Sequence, residues 1–299
     1  MRIMKGDSIV MKIIDILNSK EVTLSFEVFP PKTDAGIAAV EQATEQIAAL
    51  RPDFMSVTYG AGGGTSRHTT RIAADLQQKY GTNVLAHLTC VSSTKETVRG
   101  MIQTYKENGI ENIMALRGDI PAEGRTVFDY DHASQLIYDI KSVDDNFCIG
   151  GACYPEGHVE CERQSDDILH LKEKVDAGCD FLTTQMFFDN NIFYRYLSKL
   201  RDRGVTVPVI AGIMPVANGR QIARICRLSG TYLPSRFKAI VDRFGDTPRA
   251  MLDAGVAYAT EQIVDLFANG VNAVHLYTMN LPEVAERIME NLRGIVNGD

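Results

Sequence analysis

The fold is decided by a repeated unit whose first copy reads Thr23-Leu24-Ser25-Phe26-Glu27-Val28-Phe29 and ends at Pro30-Pro31. This short β-forming run is followed over 37–50 by a stretch with helical periodicity, and the same alternation continues along the chain. The predicted strands are 23–29, 53–59, 83–89, 112–117, 147–154, 181–187, 208–213 and 273–278. Eight strands that alternate with amphipathic helices are the number that closes a (β/α)8 TIM barrel, an α/β fold.

The predicted helices are 37–50, 69–79, 95–107, 133–140, 166–176, 192–202, 220–228 and 247–268. A doubly wound open sheet stays the structural alternative, because a strand count alone does not prove closure. Two additions are expected: an extra N-terminal helix over 8–18, packed outside the barrel or across its bottom, and an insertion with its own helix over 230–246, before the last barrel helix. No linker divides the chain, so 1–299 is predicted to form one domain.

The composition excludes several classes of protein. With 45% hydrophobic and 23% charged residues, the chain has the composition of a soluble globular protein, and its net charge of -7 offers no basic surface for nucleic acid or an anionic membrane. No apolar run approaches the roughly 20 residues that cross a bilayer, and no cleavage-site pattern follows Met1, so a cytoplasmic protein is expected. The six cysteines lack metal-type spacing and are expected to be reduced structural thiols.

Glu27 needs an explanation, because it is a lone carboxylate inside an apolar strand. An ionised group in such a place costs several kcal/mol unless it is paired, neutralised or used. One interpretation is a strand-end carboxylate that turns toward solvent or pairs with an arginine. The other is a carboxylic acid whose pKa is raised by apolar walls, so that it can donate a proton near neutral pH.

Polar residues recur at the carboxyl ends of successive predicted strands, which form the functional face of a parallel barrel. They are Glu27, Thr58, Tyr59, His87, Thr89, Arg117, Asp119, Tyr154, Glu156, Gln185, Tyr277, Thr278 and Asn280. A binding site is predicted at that face. The glycine-rich stretch 60–65 has Thr65 where a dinucleotide GxGxxG motif needs glycine, so we interpret it as a loop at the barrel mouth. Metal ligation by Glu27, His87 and Asp119 stays open, since barrel ligands come from separate strands.

Nine short motifs follow one another between residues 20 and 282. They are Phe26-Glu27-Val28-Phe29-Pro30-Pro31-Lys32, Ser56-Val57-Thr58-Tyr59-Gly60-Ala61, His87-Leu88-Thr89-Cys90, Ala115-Leu116-Arg117-Gly118-Asp119, Tyr154-Pro155-Glu156, Lys174-Val175-Asp176-Ala177-Gly178, Thr184-Gln185-Met186-Phe187-Phe188-Asp189, Gly212-Ile213-Met214-Pro215-Val216 and His275-Leu276-Tyr277-Thr278-Met279-Asn280. Together, in this order, they resemble the methylenetetrahydrofolate reductase family. The resemblance implies a TIM barrel that holds FAD and reduces methylenetetrahydrofolate to methyltetrahydrofolate in one-carbon metabolism and methionine biosynthesis.

The resemblance gives Glu27 and Asp119 the catalytic roles. Glu27 matches the family's general acid, which helps to protonate N10 of the folate so that its five-membered ring opens to an iminium cation. Asp119 matches an aspartate near the flavin and the pterin, where its charge is expected to stabilise that cation and to lower the flavin reduction potential. The implied folate-binding residues are Glu27, Asp119, Gln185, Gln221 and Tyr277.

The same resemblance implies an electron path and a cofactor site. In the family, NADH or NADPH first reduces the flavin and leaves, and the folate then takes the same face, which is a ping-pong scheme. The implied FAD-binding residues are Thr58, His87, Arg117, Gly118, Asp119, Tyr154, His158, Asp167 and Lys174. Arg117 and Lys174 are expected to contact phosphate oxygens. The resemblance also implies a homo-oligomer.

The chain departs from the better-known bacterial pattern at four positions. Leu281 stands where the family usually has arginine, and Ile225 replaces an aromatic residue. Glu173 and His170 stand where arginine and asparagine help to hold FAD in some members. These changes weaken the prediction of the electron donor, so a partner protein that supplies electrons stays an alternative to NADH or NADPH. The rival functions are a metal-dependent lyase or hydrolase and a non-catalytic barrel subunit.

Overall fold

The computed structural model describes residues 10–31, 33–60, 66–120 and 124–298. Eight parallel strands form a closed barrel in the order in which they occur along the chain. They are β1 (Thr23–Val28), β2 (Met55–Val57), β3 (Val84–Thr89), β4 (Asn112–Leu116), β5 (Cys148–Cys153), β6 (Phe181–Thr184), β7 (Val209–Ile213) and β8 (Ala273–Tyr277). Because β1 pairs with both β2 and β8, the predicted TIM barrel is confirmed and the open-sheet alternative is wrong.

Helices cover the outside of the barrel. They are α1 (Ile13–Ser19), α2 (Ile37–Ala49), α3 (Ser66–Tyr80), α4 (Lys95–Glu107), α5 (Ala133–Val143), α6 (Gln164–Asp176), α7 (Asn190–Asp202), α8 (Gly219–Ser229), α9 (Ser235–Phe244), α10 (Pro248–Ala268), α11 (Pro282–Asn291) and α12 (Arg293–Asn297). The helix α4 shows why they form. Thr94 caps it by accepting a hydrogen bond from the backbone of Thr97, and Val98, Ile102 and Tyr105 share its buried face.

The predicted N-terminal helix lies across the bottom of the barrel, where α1 begins at Ile13. Ile13 is fully buried against residues at the amino ends of the strands, among them Phe54 and Phe181. The side-chain oxygen of Asn112, in β4, accepts a hydrogen bond from the Ile13 backbone at 2.8 Å. This end of the barrel is therefore closed by packing, which leaves the opposite end for function.

The insertion between the seventh and eighth strands contains the predicted extra helix, α9. The order of the outer helices differs from the sequence expectation. The helix α10, predicted as the eighth, precedes β8 and packs beside α7 and α11, so it is the seventh helix of the ring. The last barrel helix is α11, which was not among the predicted helices. It begins with Pro282, which is well suited to a first helical turn.

Two further predictions can be compared with the structure. All six cysteines are free thiols, and all but Cys161 are buried, as expected for reduced structural residues. In the part of the chain that the structure describes, no helix combines the length and apolar character needed to cross a membrane. Residues 61–65 of the predicted mouth loop, Lys32 and the start of the predicted helix over 8–18 lie outside the described residues.

Candidate active site

Glu27 lies near the carboxyl end of β1, on the functional face of the barrel. Only 19% of its side chain is exposed, and burial raises its pKa to about 8. The carboxyl group therefore keeps its proton at neutral pH, because a charge there would lose its hydration. The strand is fixed at this residue by Thr278, whose hydroxyl donates a hydrogen bond to the Glu27 carbonyl oxygen at 2.7 Å.

His87, on β3, faces Glu27 across the barrel mouth. Its Nε2 atom lies 4.0 Å from Oε2 of Glu27, which is beyond hydrogen-bond distance. Burial lowers the pKa of His87 to about 4, so the ring is neutral at physiological pH. Within the described residues its buried Nε2 has no hydrogen-bond partner. Since buried polar groups are normally satisfied, this atom marks a place where a polar ligand group is expected to bind.

A second neutral histidine forms the floor beneath this pair. The Nδ1 atom of His275, on β8, lies 2.8 Å from the Ser25 hydroxyl, and its Nε2 lies 2.9 Å from the Ser56 hydroxyl. Burial and the proximity of His87 lower the pKa of His275 to about 3. The ring also stacks on Phe54, with 5.7 Å between the centroids. The floor is therefore uncharged and rigid, which favours the neutral form of the acid above it.

Tyr277 ends β8 beside Glu27, with which it is in register. Its hydroxyl donates a hydrogen bond to the Thr184 carbonyl oxygen at 2.5 Å. Gly212 makes this contact possible, because a Cβ atom there would lie 2.3 Å from the Thr184 oxygen and 2.6 Å from the Tyr277 hydroxyl. Burial raises the pKa of Tyr277 well above its usual value, so the phenol remains a hydrogen-bond donor.

Arg117 follows β4 and is neutralised by Glu160. Its two terminal nitrogens donate to the two Glu160 carboxylate oxygens at 2.6 and 2.8 Å. This bidentate pair is the main reason why the pKa of Arg117 is raised. The next residue, Gly118, has a φ of +86°, and a Cβ there would lie 2.9 Å from Val91. A glycine is therefore required where the chain turns beside the pocket.

Tyr154 and His158, which follow β5, form a cluster with Asp167 and Lys174, which lie on α6. The His158 ring meets Tyr154 edge-on, with 4.7 Å between the centroids. The Lys174 ammonium donates to the Ala152 carbonyl oxygen at 2.9 Å and, in the described part of the chain, has no ion-pair partner. Burial lowers the pKa of Lys174 and raises that of Asp167, while their mutual attraction opposes both shifts. Lys174 is thus a partly buried cation with which no carboxylate pairs within the described residues.

The other predicted site residues lie on the same face of the barrel and make fewer contacts with the rest of the site. Thr58 follows β2, and its carbonyl oxygen accepts a hydrogen bond from Thr69 at 2.8 Å. The Gln185 side chain accepts a hydrogen bond from the next backbone amide at 2.9 Å. Asp119, after β4, and Gln221, on α8, are exposed. Each of these four residues follows the carboxyl end of a barrel strand.

Four contributors to this site had no role assigned from the sequence: Glu160, Thr184, Gly212 and His275, although the last three begin motifs of the family resemblance. Gly212 carried a usable signal, since a glycine inside a strand often marks a close approach of another group. The ion pair of Glu160 with Arg117 joins residues 43 positions apart, and sequence spacing does not reveal such a pair. The partners of His275 come from two other strands, which only barrel closure brings together.

The metal alternative finds no support in the residues that the structure describes. No group of three or more histidine, cysteine, aspartate or glutamate side chains there is arranged to hold a metal ion. Glu27 and His87 face each other, but Asp119 does not complete a ligand set with them. The candidate ligand set considered from the sequence is therefore wrong.

The fold and the site define a class of protein: a TIM-barrel enzyme whose functional face combines a neutral carboxylic acid with a cation-containing pocket. The family model for methylenetetrahydrofolate reductase matches residues 12–293. The chain therefore belongs to the methylenetetrahydrofolate reductase family, a family of oxidoreductases, as the motifs indicated.

Individual relatives agree with this assignment. The chain is 33% identical over 273 residues to the 5,10-methylenetetrahydrofolate reductase of Escherichia coli strain K12, with 91% of each chain covered. It is 34% identical over 299 residues to the methylenetetrahydrofolate reductase (NADH) 1 of Zea mays, with 95% of this chain and 50% of the relative covered. The chain thus spans about half the length of the curated plant and yeast relatives that it matches.

Solved structures confirm the fold. A Clostridium thermocellum protein described as binding two copies of 5-methyl-5,6,7,8-tetrahydrofolic acid has a TM-score of 0.66 with 15% identity, and the match covers 97% of this chain and all of the other. A 2,3-dimethylmalate lyase has a TM-score of 0.53 with 12% identity, covering 96% of this chain and 85% of the other. At such low identity these likenesses concern the barrel alone.

Proposed function

We propose that residues 1–299 form one catalytic domain that reduces 5,10-methylenetetrahydrofolate to 5-methyltetrahydrofolate with FAD, taking electrons from NADH or NADPH in a ping-pong scheme. Family membership supports the overall reaction. The observation that carries the proposal is the neutral Glu27 at the barrel mouth, with a pKa of about 8. We further propose that the protein acts in the cytoplasm in one-carbon metabolism and methionine biosynthesis.

The residues at the mouth fit a flavin dinucleotide. Lys174 offers a cation to a phosphate oxygen, whereas Arg117 must share its guanidinium with Glu160. The unsatisfied Nε2 of His87 offers a hydrogen bond to a polar group of the isoalloxazine ring. The remaining FAD contacts are assigned to Thr58, Gly118, Asp119, Tyr154, His158 and Asp167. When bound, FAD would supply the redox chemistry by accepting a hydride from the nicotinamide and passing one to the folate.

Glu27 would act as the general acid of the folate step. Its proton is retained at neutral pH because the carboxyl group is buried and the histidines beside and beneath it are uncharged. Protonation of the folate N10 by this group would open the imidazolidine ring to an iminium carbon that accepts hydride. The group that donates the proton must have a pKa near the working pH, and Glu27 meets that condition.

The folate would lie between Glu27, Gln185, Gln221 and Tyr277. Tyr277 is held against Thr184, so it presents a fixed wall to the substrate rather than a mobile one. Asp119 is exposed, and its negative charge would stabilise the positive charge that develops on the opened folate ring. The acid, the groups that position the folate and the stabilising charge would thus come from different βα units of the barrel, as is usual in this fold.

The substitution Glu27→Gln separates the two half-reactions. Gln has nearly the same shape but no proton of suitable acidity, so the variant should bind FAD and be reduced by NADH while losing folate reduction by about 10²- to 10⁴-fold. Stopped-flow absorbance of the flavin bands measures each half-reaction separately. Glu21→Gln, exposed just before the same strand, is the matched control and should leave both rates unchanged.

Three results would contradict the proposal. Protein that neither binds FAD nor can be reconstituted with it would refute the flavoenzyme. Equal loss of both half-reactions in Glu27→Gln would refute the role of Glu27. Flavin that neither NADH nor NADPH can reduce, but that an added redox protein can, would assign the electron supply to a partner protein.

A further inference from the structure

A second cleft lies between α7 and the segment that joins β5 to α6. Its volume is about 410 Å³, within the roughly 300–1,000 Å³ of most small-molecule sites. The residues assigned above to FAD and to the folate are all described by the structure, and none of them lines this cleft. It is therefore a separate place on the molecule, and the proposed reaction gives it no role.

One wall of the cleft is positively charged. It is lined by Ile192, Arg195, Tyr196 and Lys199, whose spacing of three and four residues places them on one face of α7. The Lys199 ammonium donates to the side-chain oxygen of Gln164, a neutral partner, at 2.6 Å. The Arg195 side chain is exposed and, among the described residues, has no hydrogen bond and no ion pair. Two cations with which no described carboxylate pairs therefore face the cleft, and they would attract an anion.

The other wall carries a carboxylate. Glu156 follows β5, lines the cleft and has no role in the proposed reaction. Its Oε2 atom accepts a hydrogen bond from the Tyr232 backbone at 2.7 Å, which fixes the position of the side chain. Its Oε1 atom is buried and has no hydrogen-bond partner in the part of the chain that the structure describes. Since a buried carboxylate oxygen without a donor is costly, this wall favours a ligand that brings a donor.

We propose that this cleft binds a free α-amino acid with an apolar side chain, in its zwitterionic form. The ligand carboxylate would pair with Arg195 and Lys199, because a guanidinium matches the two oxygens of a carboxylate. The ligand ammonium group would donate to Glu156, and the side chain would lie against Ile192 and Tyr196. Glu156 would repel a dianion and the two cations would repel a simple amine, so the charges of the cleft select against both.

Direct binding tests this inference, with L-leucine as the probe. Isothermal titration of the full chain as purified should give a Kd of about 0.1–2 mM, as expected for so small a ligand. N-Acetyl-L-leucine lacks the ammonium group and L-leucinamide lacks the carboxylate, so each should bind at least about tenfold more weakly. Saturating 5-methyltetrahydrofolate should leave the Kd of L-leucine unchanged, because no residue assigned to the folate lines the cleft.

Two variants separate the two charges of the ligand. Glu156→Gln keeps an acceptor for Tyr232 but removes the negative charge, so L-leucine should bind about tenfold more weakly while N-acetyl-L-leucine binds no more weakly than before. Arg195→Gln should weaken the binding of L-leucine by about tenfold and leave that of L-leucinamide unchanged. Partial unfolding would not separate the analogues in this way. Arg203→Gln, exposed at the C-terminal end of α7, is the control and should bind L-leucine like the wild type.

Any of three results would overturn the inference. The first is the absence of binding heat from L-leucine at about 10 mM, a concentration well above the expected Kd. The second is N-acetyl-L-leucine that binds as tightly as L-leucine, which would indicate a site for carboxylates alone. The third is unchanged binding of L-leucine to both variants, which would place the amino acid elsewhere. None of these results bears on the proposed reductase, which the half-reactions of Glu27→Gln test separately.

Discussion

The pH dependence of stability at Glu27 gives the sharpest test of the site. The folded protein holds the Glu27 proton up to about pH 8, whereas the unfolded chain releases it near the reference value of 4.5. The folded state therefore binds more protons between these values. Its stabilisation through Glu27 is complete below pH 4.5 and is lost progressively as the pH rises to about 8.

The size of the effect follows from the shift. A difference of one pKa unit corresponds to about 1.4 kcal/mol, so the rise from 4.5 to about 8 sets an upper limit of about 5 kcal/mol. Because part of the side chain reaches solvent, we expect about 2–4 kcal/mol. Glu27→Gln keeps a neutral group in place at every pH, so the variant should match the wild type near pH 5 and exceed its unfolding free energy near pH 8 by that amount.

The measurement is a set of thermal unfolding curves for both proteins without cofactor, taken at several values between about pH 5 and 8. For a chain of this size, 1 kcal/mol corresponds to about 2 °C in Tm, so the gap should grow to about 4–8 °C. Glu21→Gln is again the control, since its exposed side chain has no buried state to favour. A gap that stays constant with pH, or that widens toward acid, would refute the neutral buried acid.

Three other predictions test the surrounding structure. Gly212→Ala should force a Cβ against Thr184 and Tyr277 and lower the free energy of unfolding, measured by chemical denaturation, by about 1–3 kcal/mol. A loss of folate affinity without a loss of FAD binding would confirm that the contact between Tyr277 and Thr184 shapes the folate pocket. Ile13→Ala should lower the free energy of unfolding by about 2–4 kcal/mol but leave flavin reduction by NADH unchanged, because Ile13 packs at the amino ends of the strands, away from the site. Altered reduction kinetics would contradict that separation. Asp119→Asn should raise the flavin reduction potential, measured by spectroelectrochemistry, and slow the folate half-reaction; a potential that falls would contradict the electrostatic role.

Much of the fold was predictable because the information is local. All eight predicted strands begin within two residues of where the structure begins them, and all of them lie in the closed sheet. Strand and helix periodicities differ, so each βα unit is recognisable by itself. The error concerned α10 and α11. Three helices, α8, α9 and α10, lie between β7 and β8, so the order of elements alone did not show which helix is the last of the ring.

The site was predictable in its residue types and less so in its contacts. The apolar run around Glu27 indicated a raised pKa, and the structure bears out that direction. The engagement of Arg117 with Glu160 was not predictable, and it changes which cation is available for a phosphate. The roles assigned to the individual site residues remain predictions until the half-reactions are measured.

The sequence by itself determined the alternation that makes the barrel, the buried acid of β1 and the family to which the chain belongs, because each is written in residues close together along the chain. The tertiary structure alone decided that His87 would lie 4.0 Å from Glu27, that His275 would be held between Ser25 and Ser56, and that the Tyr277 hydroxyl would reach the Thr184 carbonyl oxygen. Those distances depend on the closure of eight strands around one axis. Closure brings residues more than 200 positions apart into contact, and no local pattern encodes it.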